Sequence, residues 1–289
     1  MNKSLFILAV IFLAFASCER DKNNPIGEIL FKIDNGLEYK YSDFQLYDSS
    51  THIFYFKTNH PELKVENISH FTFLANGDEI YKGVLLPVYS SFLPAGPFIF
   101  SFPSFYQDYA LKIEIWINDS NPDPRNDPGI IDALKEHDLL HSGLSVTINS
   151  VDISNTQLTF SFTITNRDQS DLLFLDPDKM GVNLFHYFTN GLIISDPVNK
   201  TVVFNSDIDT RGPEPWNSWN IDWLSRISTG ESRTFVFNYP LDSLINPGKY
   251  HSFFEFPGLS HQINIDQLFQ ENARIWLGEI IARKDIVIN

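Results

Sequence analysis

Cysteine is almost absent from this chain of 289 residues, in which Cys18 is the only one. A single thiol cannot form an internal disulfide, so the folded state must be stabilised by the burial of apolar side chains. Basic residues are also few, since 21 Lys and Arg stand against 36 Asp and Glu, and the formal net charge is −15. Because nucleic-acid binding requires clustered Lys and Arg to contact phosphates, we expect no nucleic-acid partner.

The sequence motifs of the common enzyme classes are missing as well. The chain has no G-x-S-x-G, P-loop, G-x-G-x-x-G or Cys-based metal pair, which are the usual signals of hydrolases, nucleotide-binding enzymes and redox enzymes. We therefore predict that the protein is not an enzyme and needs no cofactor, with Ca²⁺ as the one candidate.

Long hydrophobic runs are lacking too. The longest, residues 5–15, has eleven residues and is too short to span a bilayer. Lys3 precedes it, and Ala16, Ser17 and Cys18 follow it. This order resembles the signal peptides of bacterial lipoproteins, which end in a lipobox. The resemblance implies that residues 1–17 are removed, that the Cys18 thiol is diacylated, and that the new amino terminus is acylated.

The residues after the lipobox predict a tether. Residues 18–27 are polar, end in Pro and Gly, and show no apolar periodicity, which is typical of a flexible segment. We therefore predict a lipid-anchored protein of the outer membrane, on the cell surface or the periplasmic face. Its first partner is then the membrane itself.

Aromatic residues are abundant, with 26 Phe, 11 Tyr and 5 Trp, and this composition favours strands. Short alternating runs separated by turn residues about every eight to twelve positions predict a mostly β fold. We predict two immunoglobulin-like β-sandwich domains, at residues 28–117 and 142–289. An acidic linker rich in Pro, Asn and Asp, with one short helix, joins them at residues 118–141.

Within the N-terminal half the clearest local signal is Asn76-Gly77, which predicts a tight hairpin because it supplies two positive φ angles. Residues 84–106 contain four prolines and predict an edge strand or a long packed loop, since proline cannot donate to a ladder. Residues 109–117 alternate between apolar and polar side chains. They predict a half-buried strand that closes the first domain.

Residues 130–140 have the apolar spacing of a helix, with Asp127 as its N-cap and Gly143 beyond its end. His137 and His141 occupy positions i and i+4, on one predicted helical face. The run H-D-L-L-H resembles the H-E-x-x-H motif of zinc proteases, with Asp in place of Glu. A metal-dependent hydrolase is therefore one alternative function. The chain offers no third ligand motif, and a histidine at a helix C-terminus is also favoured by the helix dipole.

Four oxygen-bearing residues have a spacing by which acidic loops wrap Ca²⁺. They are Asp119, Asn121, Asp123 and Asp127. Pro124 and Ile130 depart from the EF-hand pattern, which requires Gly and Glu at those places. The same residues are also explained as part of a stiff, solvated linker.

The C-terminal half contains the most regular strand pattern. Apolar and polar residues alternate over residues 158–165, which predicts one core-facing and one solvated face. Hairpins are predicted at Ser154-Asn155 and at Asn190-Gly191, the second joining strands at residues 183–188 and 192–195. A last strand pair is predicted within residues 273–288.

Three segments of this half carry a family resemblance. They are QLTFSFTITNRDQSDLLF, STGESRTFVFNY and NPGKYHSFFEFPGL. They resemble the immunoglobulin-like modules of the BsuPI-type bacterial intracellular proteinase inhibitors, which share the Thr-rich strand, the Gly-Glu-Ser turn and the Pro-Gly-x-Tyr strand start. The resemblance implies an immunoglobulin-like fold from residue 143 onward. Inhibition or chaperoning of an exported protease is therefore a further alternative function.

Trp216, Trp219 and Trp223 concentrate three of the five tryptophans beside Asn217, Asn220 and Asp222. Indole faces and amides together suit the binding of a sugar, although such rings also pack loops onto sheets. The preferred hypothesis is a non-catalytic binding or accessory module of the envelope. Its ligand is then a polysaccharide or a partner envelope protein.

Overall fold

The computed structural model of the protein describes residues 27–87, 89–101, 109–116, 122–154, 156–206, 210–241, 243–259 and 263–288. Strands account for 47% of the structure and helices for 13%, which confirms the predicted mostly β class. The strands of the described residues form five sheets, two in the N-terminal half and three in the C-terminal half.

The strands of the N-terminal half are β1 (Ile29–Ile33), β2 (Glu38–Lys40), β3 (Phe44–Asp48), β4 (Ile53–Phe56), β5 (Ser69–Ala75), β6 (Asp78–Pro87), β7 (Phe98–Ser101), β8 (Ala110–Lys112) and β9 (Leu140–His141). They form sheets of order β2-β1-β5-β6-β7 and β8-β4-β3-β9. Within residues 84–106, β7 is an edge strand that pairs in parallel with the end of β6.

The hairpin predicted at Asn76-Gly77 is confirmed. Ala75 pairs with Asp78 where the antiparallel ladder of β5 and β6 ends. Asn76 and Gly77 have φ angles of 51° and 94°. Two successive positive φ angles define a type I′ turn, which glycine allows because it has no Cβ.

The strand predicted over residues 109–117 is shorter than expected. β8 ends at Lys112 because the chain changes its pairing partner there. Up to Lys112 the residues pair with β4, whereas Glu114 forms a bridge with Phe98 of β7. The segment therefore links the two N-terminal sheets.

The predicted helix begins as expected but ends early. Helix α1 (Pro128–Glu136) has Asp127 as its N-cap, and the Asp127 side chain accepts a hydrogen bond from the Gly129 N–H at 2.8 Å. Asp138 then takes a left-handed φ of 55°, which stops the helix. The next residues form β9, parallel to β3.

The C-terminal half contains β10 (Leu144–Ile153), β11 (Gln157–Asn166), β12 (Leu172–Leu175), α2 (Pro177–Met180), α3 (Val182–Tyr187), β13 (Leu192–Ser195), β14 (Val202–Asn205), β15 (Leu224–Ile227), β16 (Ser232–Pro240), β17 (Gly248–Pro257), β18 (Phe269–Gln270), β19 (Ala273–Ile275) and β20 (Glu279–Ile288). Its sheets have the orders β10-β11-β16, β15-β12-β19-β18 and β14-β13-β17-β20.

Two predictions for this half are confirmed. β10 and β11 pair as an antiparallel hairpin around Ser154, although Asn155 of the predicted turn lies outside the described residues. The alternation of β11 is also observed. Its four inward side chains have no exposed surface: Leu158, Phe160, Phe162 and Ile164.

Two other predictions are wrong. Residues 183–188 do not form a strand, and the hairpin predicted at Asn190-Gly191 does not form, because α3 occupies most of that segment and buries Phe185 and His186. Burial of these rings overrides the β preference of an aromatic-rich run. Residues 273–288 do form two strands, but β19 pairs with β12 and β18 whereas β20 pairs with β17. Gly278, at φ 92°, separates the two sheets.

The buried side chains form three clusters. The N-terminal core lies between the N-terminal sheets and includes Ile130, Ala133 and Leu134 of α1. The C-terminal core receives side chains from β10-β11-β16 and from β14-β13-β17-β20. The junction core joins the two halves, and its buried members are Leu46, Ile53, Tyr55, Tyr109, Leu173, Leu175, Leu224, Leu259, Ile263, Leu268, Ala273, Ile275 and Leu277. The predicted domain boundaries stay a prediction.

Candidate functional site

The aromatic loop, residues 210–223, carries three of the five tryptophans and leads into β15. Two local turns set its shape. The Ser218 N–H donates to the Pro215 carbonyl oxygen at 2.8 Å. The Asn220 side chain accepts a hydrogen bond from the Asp222 N–H at 3.0 Å and thereby caps a short 3₁₀ turn. These turns fix where each indole lies.

The three indoles differ in exposure. Trp219 and Trp223 are partly buried against the junction core. The Trp223 ring also meets the Phe188 ring edge to face, with 6.0 Å between centroids. Trp216, by contrast, exposes 74% of its surface. The structure thus places the three predicted tryptophans on one loop but presents only Trp216 as a free surface.

The aromatic loop is attached to α3 at its other end. The Arg211 N–H donates to the Asn183 carbonyl oxygen at 3.4 Å. A Cβ on Gly212 would lie 2.7 Å from the Tyr187 ring, so the loop backbone passes directly over that ring. Tyr187 keeps 39% of its surface exposed. The loop is therefore held at both ends, with Trp216 between the attachments.

The chemistry of the aromatic loop suits a neutral polyhydroxylated ligand. An indole face offers apolar surface to the C–H groups of a sugar ring, and amides hydrogen-bond hydroxyl groups. Asn217, next to Trp216, and Asn220 are both exposed. The exposed carboxylates of Glu214 and Asp222 lie on the same loop and disfavour an anionic ligand.

The two histidines of the predicted metal motif lie in different environments. α1 ends before His137, whose ring stacks on the Tyr41 ring with 3.8 Å between centroids. His141 lies in β9, and its Nδ1 hydrogen-bonds the Asp168 carboxylate at 2.7 Å. The prediction that both share one helical face is therefore wrong. Among the residues described, no group of three or more His, Cys, Asp or Glu is placed to hold a metal ion.

The acidic segment is described only in part, because Asp119 and Asn121 lie outside the described residues. Both carboxylate oxygens of Asp123 already accept hydrogen bonds from Arg125, from Nε at 2.9 Å and from Nη2 at 2.7 Å. Asp127 caps α1. The calcium site stays a prediction.

Cys18, with the signal sequence and almost all of the tether, also lies outside the described residues. No helix within the described ranges is long and apolar enough to cross a membrane. Lipidation of Cys18 stays a prediction.

A buried charged network at the junction of the two halves is not predicted by the sequence. Arg274 is 1% exposed, and its Nη2 donates to Asp48 at 2.7 Å and to Asp168 at 3.1 Å. His141 bonds the second oxygen of the Asp168 carboxylate. Because Asp48 belongs to β3 and Arg274 to β19, the network ties the N-terminal half to the C-terminal half.

The charges of this network stabilise one another. Burial alone would raise the pKa of Asp168, but the hydrogen bond from His141 and the charge of Arg274 hold it well below its usual range. Burial likewise opposes the charge of Arg274, yet Asp48 and Asp168 together raise the pKa of the guanidinium above its usual value. Asp168 and Arg274 therefore remain charged at neutral pH although they are buried.

Two partly buried carboxyl groups, those of Glu114 and Glu255, both interact with the charge of Glu279. Burial and the negative charge of Glu279 raise the pKa of Glu114 and of Glu255 above the usual value, although Asn190 opposes the shift at Glu255. Glu279 itself forms an ion pair with Lys112, which connects β20 to β8. Burial is the first cause of both shifts, so they require no catalytic role.

Comparisons with known proteins do not identify a family. No family model matches the sequence, and no curated protein matches it. Two similar solved structures are of β-glucosidase from Kluyveromyces marxianus, one labelled with selenomethionine and one in complex with glucose. They are 10% and 9% identical, with TM-scores of 0.24 and 0.23, and the match covers 50% of this chain and 14% of the enzyme. At these TM-scores the likeness supports no conclusion about this protein.

Proposed function

We propose that this chain is a lipid-anchored protein of the bacterial outer membrane that acts as a non-catalytic binding module for a neutral polysaccharide. The leader with its lipobox supports the anchor at Cys18. On this proposal, residues 18–27 are the tether that lets the folded body reach a ligand at the cell surface or the periplasmic face.

The proposal includes two immunoglobulin-like sandwiches, the second of the BsuPI type. The C-terminal core supports it, since it receives side chains from both β10-β11-β16 and β14-β13-β17-β20. Two sheets that share one apolar layer are the basic arrangement of a β-sandwich.

The observation that carries the proposed function is the exposure of Trp216. A tryptophan in a soluble body is usually well buried, and one that exposes 74% of its surface is available to a ligand. Trp219 and Trp223 pack against the junction core and thereby hold the aromatic loop, including Trp216, in place. A rigid loop loses little conformational entropy when it binds.

The test is the affinity of the soluble chain, from residue 19 onward, for neutral polysaccharides such as β-glucan, xylan and mannan, measured by isothermal titration. We expect Trp216→Ala to weaken binding at least about tenfold, which is the effect of truncating a central aromatic anchor. The matched control is Trp116→Ala, because Trp116 is also exposed, at 55%, but stacks on Phe98 in the N-terminal half.

Two results contradict the proposal. One is that the unmodified chain binds none of the neutral polysaccharides. The other is that it binds one of them, and Trp216→Ala lowers the affinity no more than Trp116→Ala does.

A further inference from the structure

Strand β16 is hydrogen-bonded on one side only within the described residues. It pairs with β11 over nine successive positions without a bulge. The bonds at its two ends show which backbone groups face β11. The Glu231 carbonyl oxygen accepts from the Asn166 N–H at 3.0 Å, and the Leu241 N–H donates to the Thr156 carbonyl oxygen at 3.1 Å.

Backbone groups alternate between the two sides of a strand, so the odd-numbered residues of β16 face β11. The even-numbered residues Ser232, Thr234, Val236 and Asn238 then direct their N–H and C=O groups away from the sheet. Their side chains are exposed as well, and Val236 exposes 55% of its surface. Pro240 ends the row because it has no N–H.

The other sheet edges in the described part of the chain are protected. Most edge strands have five residues or fewer, namely β2, β7, β8, β9, β14, β15 and β18. The two long edges that remain, β10 and β20, lie along each other, and the Lys284 ammonium of β20 donates to the Ile148 and Asn149 carbonyl oxygens of β10. Shortness, charge and mutual cover are the usual defences of an edge strand. β16 has none of them along its outer row.

The charge of this edge differs from that of the molecule. The chain has a formal charge of −15, so two copies repel each other over most of their surfaces. The outer row of β16 consists of Ser232, Thr234, Val236, Asn238 and Pro240, and none of these five side chains is ionisable. At this edge, therefore, two copies of the strand can meet without bringing like charges directly opposite one another.

We propose that two copies of the chain pair through β16, antiparallel and with Val236 on the two-fold axis. Val236 then lies opposite Val236 of the second copy, and Thr234 lies opposite Asn238. A cross-strand Thr–Asn pair of the same kind already exists between β11 and β16, where the Thr159 hydroxyl donates to the Asn238 side-chain oxygen at 2.9 Å. The three-stranded sheets of the two copies become one six-stranded sheet.

The pairing is modest in size and sensitive to salt. Thr234, Val236 and Asn238 of each copy supply about six backbone hydrogen bonds in total, which places the contact among the smaller interfaces. Because the acidic bodies approach each other, higher ionic strength screens their repulsion and strengthens the dimer.

The test is sedimentation equilibrium of the soluble chain from residue 19 onward, over a range of protein and salt concentrations. We expect a monomer–dimer equilibrium whose dissociation constant falls as salt is added. Val236→Thr is the control, since it keeps an uncharged β-branched side chain at the axis, and it dimerises like the unmodified chain. Val236→Lys and Val236→Glu each place two like charges directly opposite one another and weaken the dimer at least about tenfold.

Mixing the two charged variants provides the decisive measurement. An equal mixture of Val236→Lys and Val236→Glu forms a mixed dimer, because opposite charges then meet at the axis. A mixture that stays monomeric overturns the proposed register. A chain that remains monomeric up to about 1 mM, including one that binds an extended peptide at this edge instead, overturns the pairing. So does a dimer that neither charged variant weakens.

Discussion

Arg274 is the residue on which the contact between the two halves depends most. Its guanidinium lies between two carboxylates that have no exposed side-chain surface, Asp48 and Asp168. A buried ion pair of this kind adds little stability over an apolar equivalent, but removal of one partner leaves the other charges buried and unpaired. The cost of a substitution here is therefore the desolvation of the remaining ions.

We expect Arg274→Met to lower the free energy of unfolding by about 3–5 kcal/mol at pH 7, for this reason. Urea denaturation measures the loss. Arg167→Met is the control, because Arg167 is an exposed arginine of the same half, and its effect stays within about 0.5 kcal/mol. If both variants lose the same small amount, the network does not stabilise the junction.

His186 provides a prediction about pH. The ring is 4% exposed, and burial lowers its pKa to about 4. Its Nε2 lies 2.9 Å from the Tyr239 hydroxyl. In the unfolded chain the pKa of histidine is about 6.5, so between these values the unfolded state binds a proton that the folded state does not. The contribution of His186 to stability is complete above about pH 7 and is lost as the pH falls.

Because of this difference in proton binding at His186, the free energy of unfolding falls by about 3 kcal/mol as the pH is lowered from 7 to 4. We expect His186→Gln to remove that part of the pH dependence, which urea denaturation at several pH values measures. Tyr239→Phe is the comparison, since it removes the hydrogen bond but keeps the buried ring, and its pH dependence stays like that of the unmodified chain. Equal slopes for the unmodified chain and His186→Gln would contradict the assignment.

At the scale of elements, the features that the sequence predicts correctly are those with a local cause. Asn76-Gly77 specifies its own turn, because the two residues adopt positive φ without help from the rest of the chain. The N-cap at Asp127 and the alternation of β11 are also readable within a few residues.

The elements whose predicted bounds or type are wrong depend on residues that are distant in the chain. α1 ends at Glu136 because β9 pairs with β3, a partner more than ninety residues earlier in the chain. Most of residues 183–188 form a helix because Phe185 packs in the C-terminal core, where its ring meets Phe237 of β16 and Phe256 of β17, both of which follow later in the chain. A pattern of period two or three to four residues contains no information about such partners.

The candidate site likewise has features with a local cause, which the sequence predicts, and features with a distant cause, which it does not. The concentration of tryptophans makes the aromatic loop visible in the sequence, but the exposure of Trp216 and the burial of its two neighbours depend on the junction core. No sequence pattern predicts the Arg274 network, because Arg274 is separated from Asp48 by 226 positions and from Asp168 by 106. Its one local sign is a charged residue within the apolar run ARIWL.

At the scale of the whole molecule, the two halves share buried surface. The junction core contains Leu46 and Tyr55 from the N-terminal half and Leu173 and Ile275 from the C-terminal half. Gly278 lies at this contact with a φ of 92°, and a Cβ there would be 2.8 Å from the Thr51 Cβ. The backbone at Gly278 therefore packs directly against the Thr51 side chain, and this contact joins the two halves in addition to the Arg274 network.

We expect the halves to unfold together, so that tryptophan fluorescence and far-ultraviolet circular dichroism follow the same urea transition. Gly278→Ala combines the strain of a left-handed residue, about 1–2 kcal/mol, with overpacking against Thr51, about 1–3 kcal/mol. Gly230→Ala separates the two effects, because Gly230 also has a positive φ, of 78°, but nothing lies within 4 Å of its Cβ position. A loss for Gly278→Ala that exceeds the loss for Gly230→Ala measures the contact between the halves. Separate transitions in the unmodified chain, with equal losses for the two variants, would show instead that each half is stable without the other.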